Sequence, residues 1–567
     1  MTNEITPQST TVAGILGNGW SLAPAASQDG RWLTFASDST NLSTPDAGGL
    51  FMIYLKDTQT GALTPISLSA IGRIPNSNST VPVISDDGRY VAFQSYATNL
   101  AGTDKNNVSD IFWKDTQTGT LKLLSSTGGT AGDNASGSPA ISADGRYVVF
   151  QSRADNLASD DTNGAYDIYL ADTQTGSLTP ISRNAQNSFG DQNSVTPSLS
   201  ANGQVVAFAS DATNLVANDN NVSRDVFIKN AQTGAITLVS TTQVTIDNNL
   251  VEVAAGGRSD SPALSADGSK VAFMSYAPDL GKPIDPNNYH GYGEIYVKDL
   301  GGNAFTPAAW ASTDATGQQA NGNCWSPVIS QTGQYVAFLS DATNLVPGDT
   351  NGLADVFVKD ISSGQIIRLS ADSLGGQIYR GPELNKAISI SDNGQWIFFS
   401  ATSSASNDAE EVFKAANPLY AGGTDTHTVV LDSKTSPKTI PSFVSGTDKI
   451  SVSQAALPVG NHDTTLDGAI VRPTPGGFAP TAELVILTAN ISGAITFADA
   501  ATTIGSATSA YKTGDHALFV VDNGAQSAVF YFTAAAADAG VSASELTLIG
   551  TLTTTSGTII GDYLLST

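Results

Sequence analysis

Residues 138–182 read Ser-Pro-Ala-Ile-Ser-Ala-Asp-Gly-Arg-Tyr-Val-Val-Phe-Gln-Ser-Arg-Ala-Asp-Asn-Leu-Ala-Ser-Asp-Asp-Thr-Asn-Gly-Ala-Tyr-Asp-Ile-Tyr-Leu-Ala-Asp-Thr-Gln-Thr-Gly-Ser-Leu-Thr-Pro-Ile-Ser. This stretch predicts four short strands. Asp144-Gly145 joins the run Pro139–Ser142 to Tyr147–Ser152 as a tight hairpin, because glycine and small Asx residues accept a positive φ at little cost. The loop Asp161-Thr-Asn163-Gly-Ala-Tyr-Asp167 leads into a third strand over Ile168–Leu170. A Thr175-Gly176 turn then opens a fourth strand over Ser177–Ser182.

The unit repeats. Its hairpin glycine returns at Gly30, Gly88, Gly145, Gly203, Gly268, Gly333 and Gly394, at spacings of 58, 57, 58, 65, 65 and 61 residues. Seven copies of a four-strand unit predict an all-β chain built as a seven-bladed β-propeller. The runs Arg89-Tyr-Val-Ala-Phe-Gln-Ser95 and Gln334-Tyr-Val-Ala-Phe-Leu-Ser340 are apolar at their centres, as strands covered on both faces require.

At Ser85-Asp-Asp-Gly-Arg-Tyr-Val-Ala-Phe93 the chain resembles the PD40 or TolB-like propeller repeat, a WD40-like unit, and the likeness extends over all seven copies. That resemblance implies a fold and leaves function open, since a fold does not by itself carry an activity. The seventh unit lacks a fourth strand after Lys414. Asn3-Glu-Ile-Thr-Pro-Gln-Ser9 matches the pattern of Gly176-Ser-Leu-Thr-Pro-Ile-Ser182, so residues near Ile5 are expected to supply the missing strand and shut the ring.

Four loops after the second strand share spaced oxygen donors: Asp104, Asn106 and Asp110; Asp161, Asn163 and Asp167; Asp219, Asn221 and Asp225; and Asp349, Asn351 and Asp355. Two readings stay open. Alternate side chains of a curled loop converge, and a hard cation such as calcium takes six to eight oxygens. Equally, Asp and Asn cap backbone N–H groups in Asx-turns. The loops resemble shortened calcium loops of FG-GAP propellers, without the acid at the fifth position and with the closing Asp two residues early. The other units serve as controls: Met52 follows Asp46 and Gly48 in the first, an insertion carrying Asp285 and Asn287 precedes Glu294 in the fifth, and Asn407, Asp408 and Glu411 form a contracted seventh.

Composition narrows the setting. The 567 residues carry 26 Lys+Arg against 52 Asp+Glu, a net charge of −26, which argues against nucleic acid and anionic membranes as partners. The sole cysteine, Cys324, excludes an internal disulfide and reads as a small buried residue rather than a nucleophile. The N-terminal stretch lacks the basic and apolar regions of a Sec signal, and no segment has the apolar length of a membrane-spanning helix. The four histidines, His290, His427, His462 and His516, show no zinc-binding spacing, and a Gly-x-Ser-x-Gly elbow is absent. An enzyme is therefore the less favoured class.

Beyond Leu419 the repeat ends. Residues 1–418 are assigned to the propeller, 419–480 to a Pro-rich linker-like segment, and 481–567 to a β-rich C-terminal domain with strands at Glu483–Thr488, His516–Val521 and Ala528–Thr533 and brief helices at Ala534–Ala539 and Ser542–Leu548. Ala517-Leu-Phe-Val-Val-Asp-Asn-Gly524, Asp538-Ala-Gly-Val-Ser-Ala-Ser-Glu545 and Gly561-Asp-Tyr-Leu-Leu-Ser-Thr567 resemble the C-terminal regions of type I-secreted RTX and surface-layer proteins of Gram-negative bacteria, though no Gly-Gly-x-Gly-x-Asp array is present. The resemblance implies export without an N-terminal signal and an extracellular or cell-surface place. Asp538 and Glu545 suit either a further cation or a capped helix start. The expectation is a secreted, calcium-binding structural or surface-layer-like protein that makes protein contacts, self-association included. A glycan- or peptide-binding module is the alternative, and a propeller-type hydrolase ranks below it.

Overall fold

The computed structural model describes residues 5–43, 48–101, 104–246, 249–280, 291–301, 308–349, 353–370, 388–402, 409–420, 428–431, 434, 438–440, 449–453, 456–459, 466–488, 491, 495–523, 526–553 and 563–566. The chain divides into two compact units, Met1–Tyr420 and Ala421–Thr567.

The first unit contains seven four-stranded antiparallel sheets among its described residues. In the third blade the strands are Ser136–Ile141, Tyr147–Ser152, Asp167–Asp172 and Leu178–Pro180. Each strand follows its neighbour in sequence except in blade 7, where Ile5–Pro7 pairs antiparallel with Glu410–Ala416, Ile5 standing opposite Ala415. The expected ring closure is therefore present. The unit is a seven-bladed β-propeller.

Packing within a blade follows one rule. The middle strands are buried on both faces, as at Val91, Ala92 and Phe93, and an aromatic pair crosses between the second and third strands. Phe93 stacks on Phe112 with centroids 5.8 Å apart, and Phe150 on Tyr169 at 6.2 Å. Such pairs add roughly 0.5–1.5 kcal/mol beyond their burial.

Between blades, the hairpin glycine has a second task that the turn alone does not reveal. A Cβ on Gly88 would sit 2.2 Å from Trp32 of blade 1, and one on Gly145 would sit 2.2 Å from Tyr90 of blade 2. Gly30 closes the circle against Trp396 of blade 7. Backbone hydrogen bonds run from hairpin to hairpin around the axis: Asp86 N–H donates to Ala143, Ala143 to Ala201, Ala201 to Ala266 and Gln331 to Asp392.

The innermost strands of blades 1 to 6 share a bulge. Ala23, Val81, Ser138, Thr196, Ser261 and Ser326 all take φ of 50–53°, and each precedes a proline. For β-branched Val81 and Thr196 this region is strained, so the packing around the axis must hold them there.

Cys324 finds its explanation in a ladder of hydroxyls. Ser21–Ser37, Ser79–Ser95, Ser136–Ser152, Ser194–Ser210 and Ser259–Ser275 bridge the first two strands of five blades, and in blade 6 the Cys324 thiol meets Ser340 Oγ at 3.2 Å. The thiol replaces a serine in a structural position.

The second unit departs from expectation. Within the segment 419–480 expected to be linker-like, Thr428–Leu431, Lys438–Ile440, Lys449–Ser453 and Ile470–Arg472 are strands. A six-stranded mixed sheet runs Lys438–Ile440, Leu546–Thr553, Gln526–Thr533, His516–Asp522, Leu484–Leu487, Ile470–Arg472. One core cluster contains Phe519 and Phe530 with Ala500 and Ile504 of the helix Phe497–Ile504. The other contains Leu518 and Tyr531 with Ile450, Val452, Leu457 and Val459. Prolines punctuated this region without emptying it of apolar anchors. The helix expected over Ser542–Leu548 is a single 3₁₀ turn, Ala543–Glu545, followed by a strand whose Leu546, Ile549 and Leu552 are buried. No helix among the described residues is long and apolar enough to cross a membrane.

The glycine contacts make a paired prediction. Gly88→Ala meets both a positive φ and an indole ring, so it should cost more than about 2 kcal/mol, whereas Gly119→Ala, with φ +74° and open space, should cost only about 1 kcal/mol. Urea unfolding followed by circular dichroism measures both. Cys324→Ser should stay within about 1 kcal/mol of the parent in the same assay.

Candidate functional site

In blades 2 to 6 the loops that follow the second strands deliver a carboxylate to the first residue of the third strand. There the packing is tight. Asp110, Asp167 and Asp225 are fully buried, and each accepts a hydrogen bond from a serine just past the fourth strand: Ser125 at 2.5 Å, Ser182 at 2.6 Å and Ser240 at 2.6 Å. The same serine oxygens accept the next backbone N–H, from Ile111, Ile168 and Val226. Ser370 repeats the arrangement with Asp355 in blade 6.

The control units obey it too, which spacing did not show. Ser312 donates to Glu294 in blade 5, and Ser9, from the N-terminal segment, donates to Glu411 in blade 7. The insertion in blade 5 hid Glu294 at the sequence level. Its register, two residues before Tyr296 as Asp110 is two before Phe112, identifies it. In blade 1 the position belongs to buried Met52, with Ser67 still accepting from Ile53 N–H.

In blades 2, 3 and 4 the middle residue of the motif makes an Asx-turn. Asn106 Oδ1 accepts from Val108 N–H, Asn163 Oδ1 from Ala165 and Asn221 Oδ1 from Ser223. Their amides reach outward as well: Asn106 Nδ2 donates to Asp110 at 2.8 Å and to Gly132 O at 2.7 Å, and Asn163 does the same toward Asp167 and Gly190. Asn221 donates to Ala255 O at 2.8 Å.

The first Asp of each motif is different. Asp104, Asp161 and Asp219 are only 1%, 5% and 9% exposed. Both oxygens of Asp104, Oδ1 of Asp161, Oδ1 of Asp219 and also Oδ2 of Asp225 make no well-formed hydrogen bond. Tyr169 donates to the other oxygen of Asp161 at 2.6 Å. Burial raises all three first carboxylates, Asp219 to about 6; the Tyr169 hydroxyl opposes this at Asp161, and the backbone two residues on opposes it at all three. Burial, with the first carboxylate of the same loop as a lesser cause, raises Asp110 to about 6 and Asp167 and Asp225 to about 7. An unpartnered buried carboxylate costs several kcal/mol unless a proton or a cation neutralises it.

Asp349 and Asp355 also come together, but around a guanidinium. Arg368 Nη1 lies 2.8 Å from Asp349 Oδ1 and 3.4 Å from Asp355 Oδ2. Asn351 lies outside the described residues, as do Asp46, Asp285, Asn287, His290, Asn407 and Asp408. Among the described residues no three His, Cys, Asp or Glu side chains converge as a metal cluster. A cation at blades 2, 3 or 4 would be held by the two carboxylates and backbone oxygens, since the Asn carboxamides already spend Oδ1 on a backbone N–H and, in blades 2 and 3, turn Nδ2 toward the closing Asp.

Two further acidic places were not singled out from sequence or read differently there. Asp86 is pushed well above the usual carboxylate range, first by burial and then by Asp392, the corresponding residue of the blade 7 hairpin. In the C-terminal unit, Glu545 closes a capping box with Ser542 and also accepts from Ala535 N–H, which holds it below its ordinary value against the effect of burial. The helix-start reading of Glu545 thus describes its contacts.

No protein-family model and no curated protein sequence matches the chain. Solved structures similar to it include an oligogalacturonate lyase in complex with manganese, with 15% identity over 74% of this chain and 96% of that one and a TM-score of 0.46. The β-propeller domain of the Trilobed protease from Pyrococcus furiosus shares 12% identity over 70% of this chain and 95% of its own, with a TM-score of 0.42. TolB from Acinetobacter baumannii shares 16% identity over 65% of this chain and 77% of its own, with a TM-score of 0.32. No activity is taken from these likenesses.

Glu294 supplies a pH test away from the three loops. Burial raises it to about 8 against the bond from Ser312. Because the folded value lies above the unfolded one, its contribution is fully present below about pH 4.5 and is lost as pH rises through about 8. Glu294→Gln should flatten the stability profile across that window and raise the melting temperature at pH 8.5 relative to the parent, read by thermal denaturation at several pH values.

Proposed function

We propose that this protein is a calcium-stiffened β-propeller that works outside the cell as a structural, surface-layer-like component through protein contacts, including contacts with further copies of itself. The observation that supports the calcium part is the set of buried carboxylate oxygens without partners at Asp104, Asp161 and Asp219, each beside a second buried carboxylate. Six-to-eight-coordinate oxygen ligation suits loops of this chemistry. The net charge of −26 and a lone cysteine that stands in for a serine agree with an extracellular, disulfide-free setting. The likeness of the last residues to type I-secreted proteins supports the route.

The test uses the full chain stripped with a chelator. Restoring calcium should raise the melting temperature, the stability gained being about 2.7 kcal/mol per site when the free ion is about a hundred times its Kd. Light scattering after size exclusion should report a larger mass with calcium than with chelator. A melting temperature that does not respond to calcium rejects the ionic half, and an unchanged mass rejects the assembly half.

A second reading, a glycan- or peptide-binding module, is favoured by Tyr96 and Tyr292. Both are exposed aromatic residues in the connections after second strands, on the side of the ring that carries the acidic loops. Binding of a glycan panel by the monomer, lost in Tyr96→Ala, would select it.

A further inference from the structure

Resting on the cation reading above, we infer that the propeller takes three metal ions, in blades 2, 3 and 4, and that blade 6 carries a cation of its own, the guanidinium of Arg368. The four motifs are alike in sequence, so the distinction comes from the fourth strand, which lies far from the motif along the chain.

Strand register makes the comparison exact in position. Arg368 stands opposite Phe357. The residues at the same place are Leu123 opposite Phe112, Pro180 opposite Tyr169 and Leu238 opposite Phe227. In the remaining blades the place belongs to Pro65, Trp310 and Pro7. Blade 6 alone sets a basic residue there.

The consequence is local charge balance. Two buried acids in one loop need a proton or a cation between them. In blade 6 the Arg368 side chain, 12% exposed, bridges Asp349 and Asp355, which are 2% and 1% exposed. In blades 2 and 4 only aliphatic side chains occupy that place, and oxygens of Asp104 and Asp219 make no well-formed hydrogen bond. Blade 3 has Arg183 nearby, but its guanidinium is held by Asp160 at 2.7 Å and by Asn187 O at 2.8 Å, and Asp161 Oδ1 stays unpartnered. A guanidinium is always charged and fills the gap between carboxylates with fixed N–H donors, so it excludes a divalent ion from the same space.

Calcium bound per full-length chain, measured by equilibrium dialysis after chelator treatment, tests this. Asp104→Asn, Asp161→Asn and Asp219→Asn should each lower the count by one, while Asp349→Asn leaves it unchanged. Arg368→Leu should raise it by one, and Leu238→Arg should lower it by one. Circular dichroism confirms that each variant is folded, and the two charge-reversing designs cover one another if either fails to fold. Loss of one equivalent in Asp349→Asn, equal to the loss in the other three, overturns the inference and leaves the cation reading standing. No change in any of the first three variants overturns the cation reading itself.

Discussion

A carboxylate buried at the head of the third strand is the constraint on which the blades depend. Taking such a group out of water is unfavourable unless its oxygens are bonded and its charge is answered. The protein meets the first demand the same way in six blades, with a serine beyond the fourth strand that gives its proton to the acid and takes an N–H from the neighbouring backbone. One hydroxyl therefore fastens the outermost strand to the body of the blade. The second demand is met differently around the ring. Blade 1 removes the acid, placing Met52 there; blade 6 brings in Arg368; blades 5 and 7 bury a glutamate whose value rises to about 8 and about 7.

Ring formation rests on a separate interaction that uses the same repeat. The second strand opens with a ring such as Trp32, Tyr90 or Tyr147, and the next blade offers a hairpin with no side chain at the point of contact. Arg31, Arg89 and Arg146 lie over those rings and reach Asp57, Asp115 and Asp172 on the third strand. The bonds from these arginines hold Asp115 and Asp172 at about 2, well below the usual range. Turn, stack and ion pair are thus read out of one short motif, Asp-Gly-Arg followed by an aromatic residue.

Much of the propeller was legible because it repeats: glycine spacing counted the blades, and the likeness of residues 3–9 to the fourth strand of blade 3 located the closing strand. The candidate loops were legible as a motif but not as sites. Nothing in Asp349 and Asp355 distinguishes them from Asp110 and Asp104, since the difference is a register partner on another strand, Arg368. Glu294 was hidden by an insertion that breaks spacing without moving the strand. The C-terminal unit was read least well. Its strands are short and include parallel pairs, such as Thr428–Leu431 with Lys449–Ser453, whose partner Tyr563–Ser566 lies more than a hundred residues on, so local alternation gives little warning of them.

The clasp between Ser9 and Glu411 spans 402 positions of the chain. A nascent polypeptide can stack its blades one on another as they emerge, but the circle stays open until the far end of the seventh is available to receive the segment made first. Joining ends so distant carries a loop-closure cost that grows only slowly with length, yet it falls due in a single late step. Up to that moment the molecule is an open arc whose first and last blades each lack a neighbour; afterwards neither edge is free.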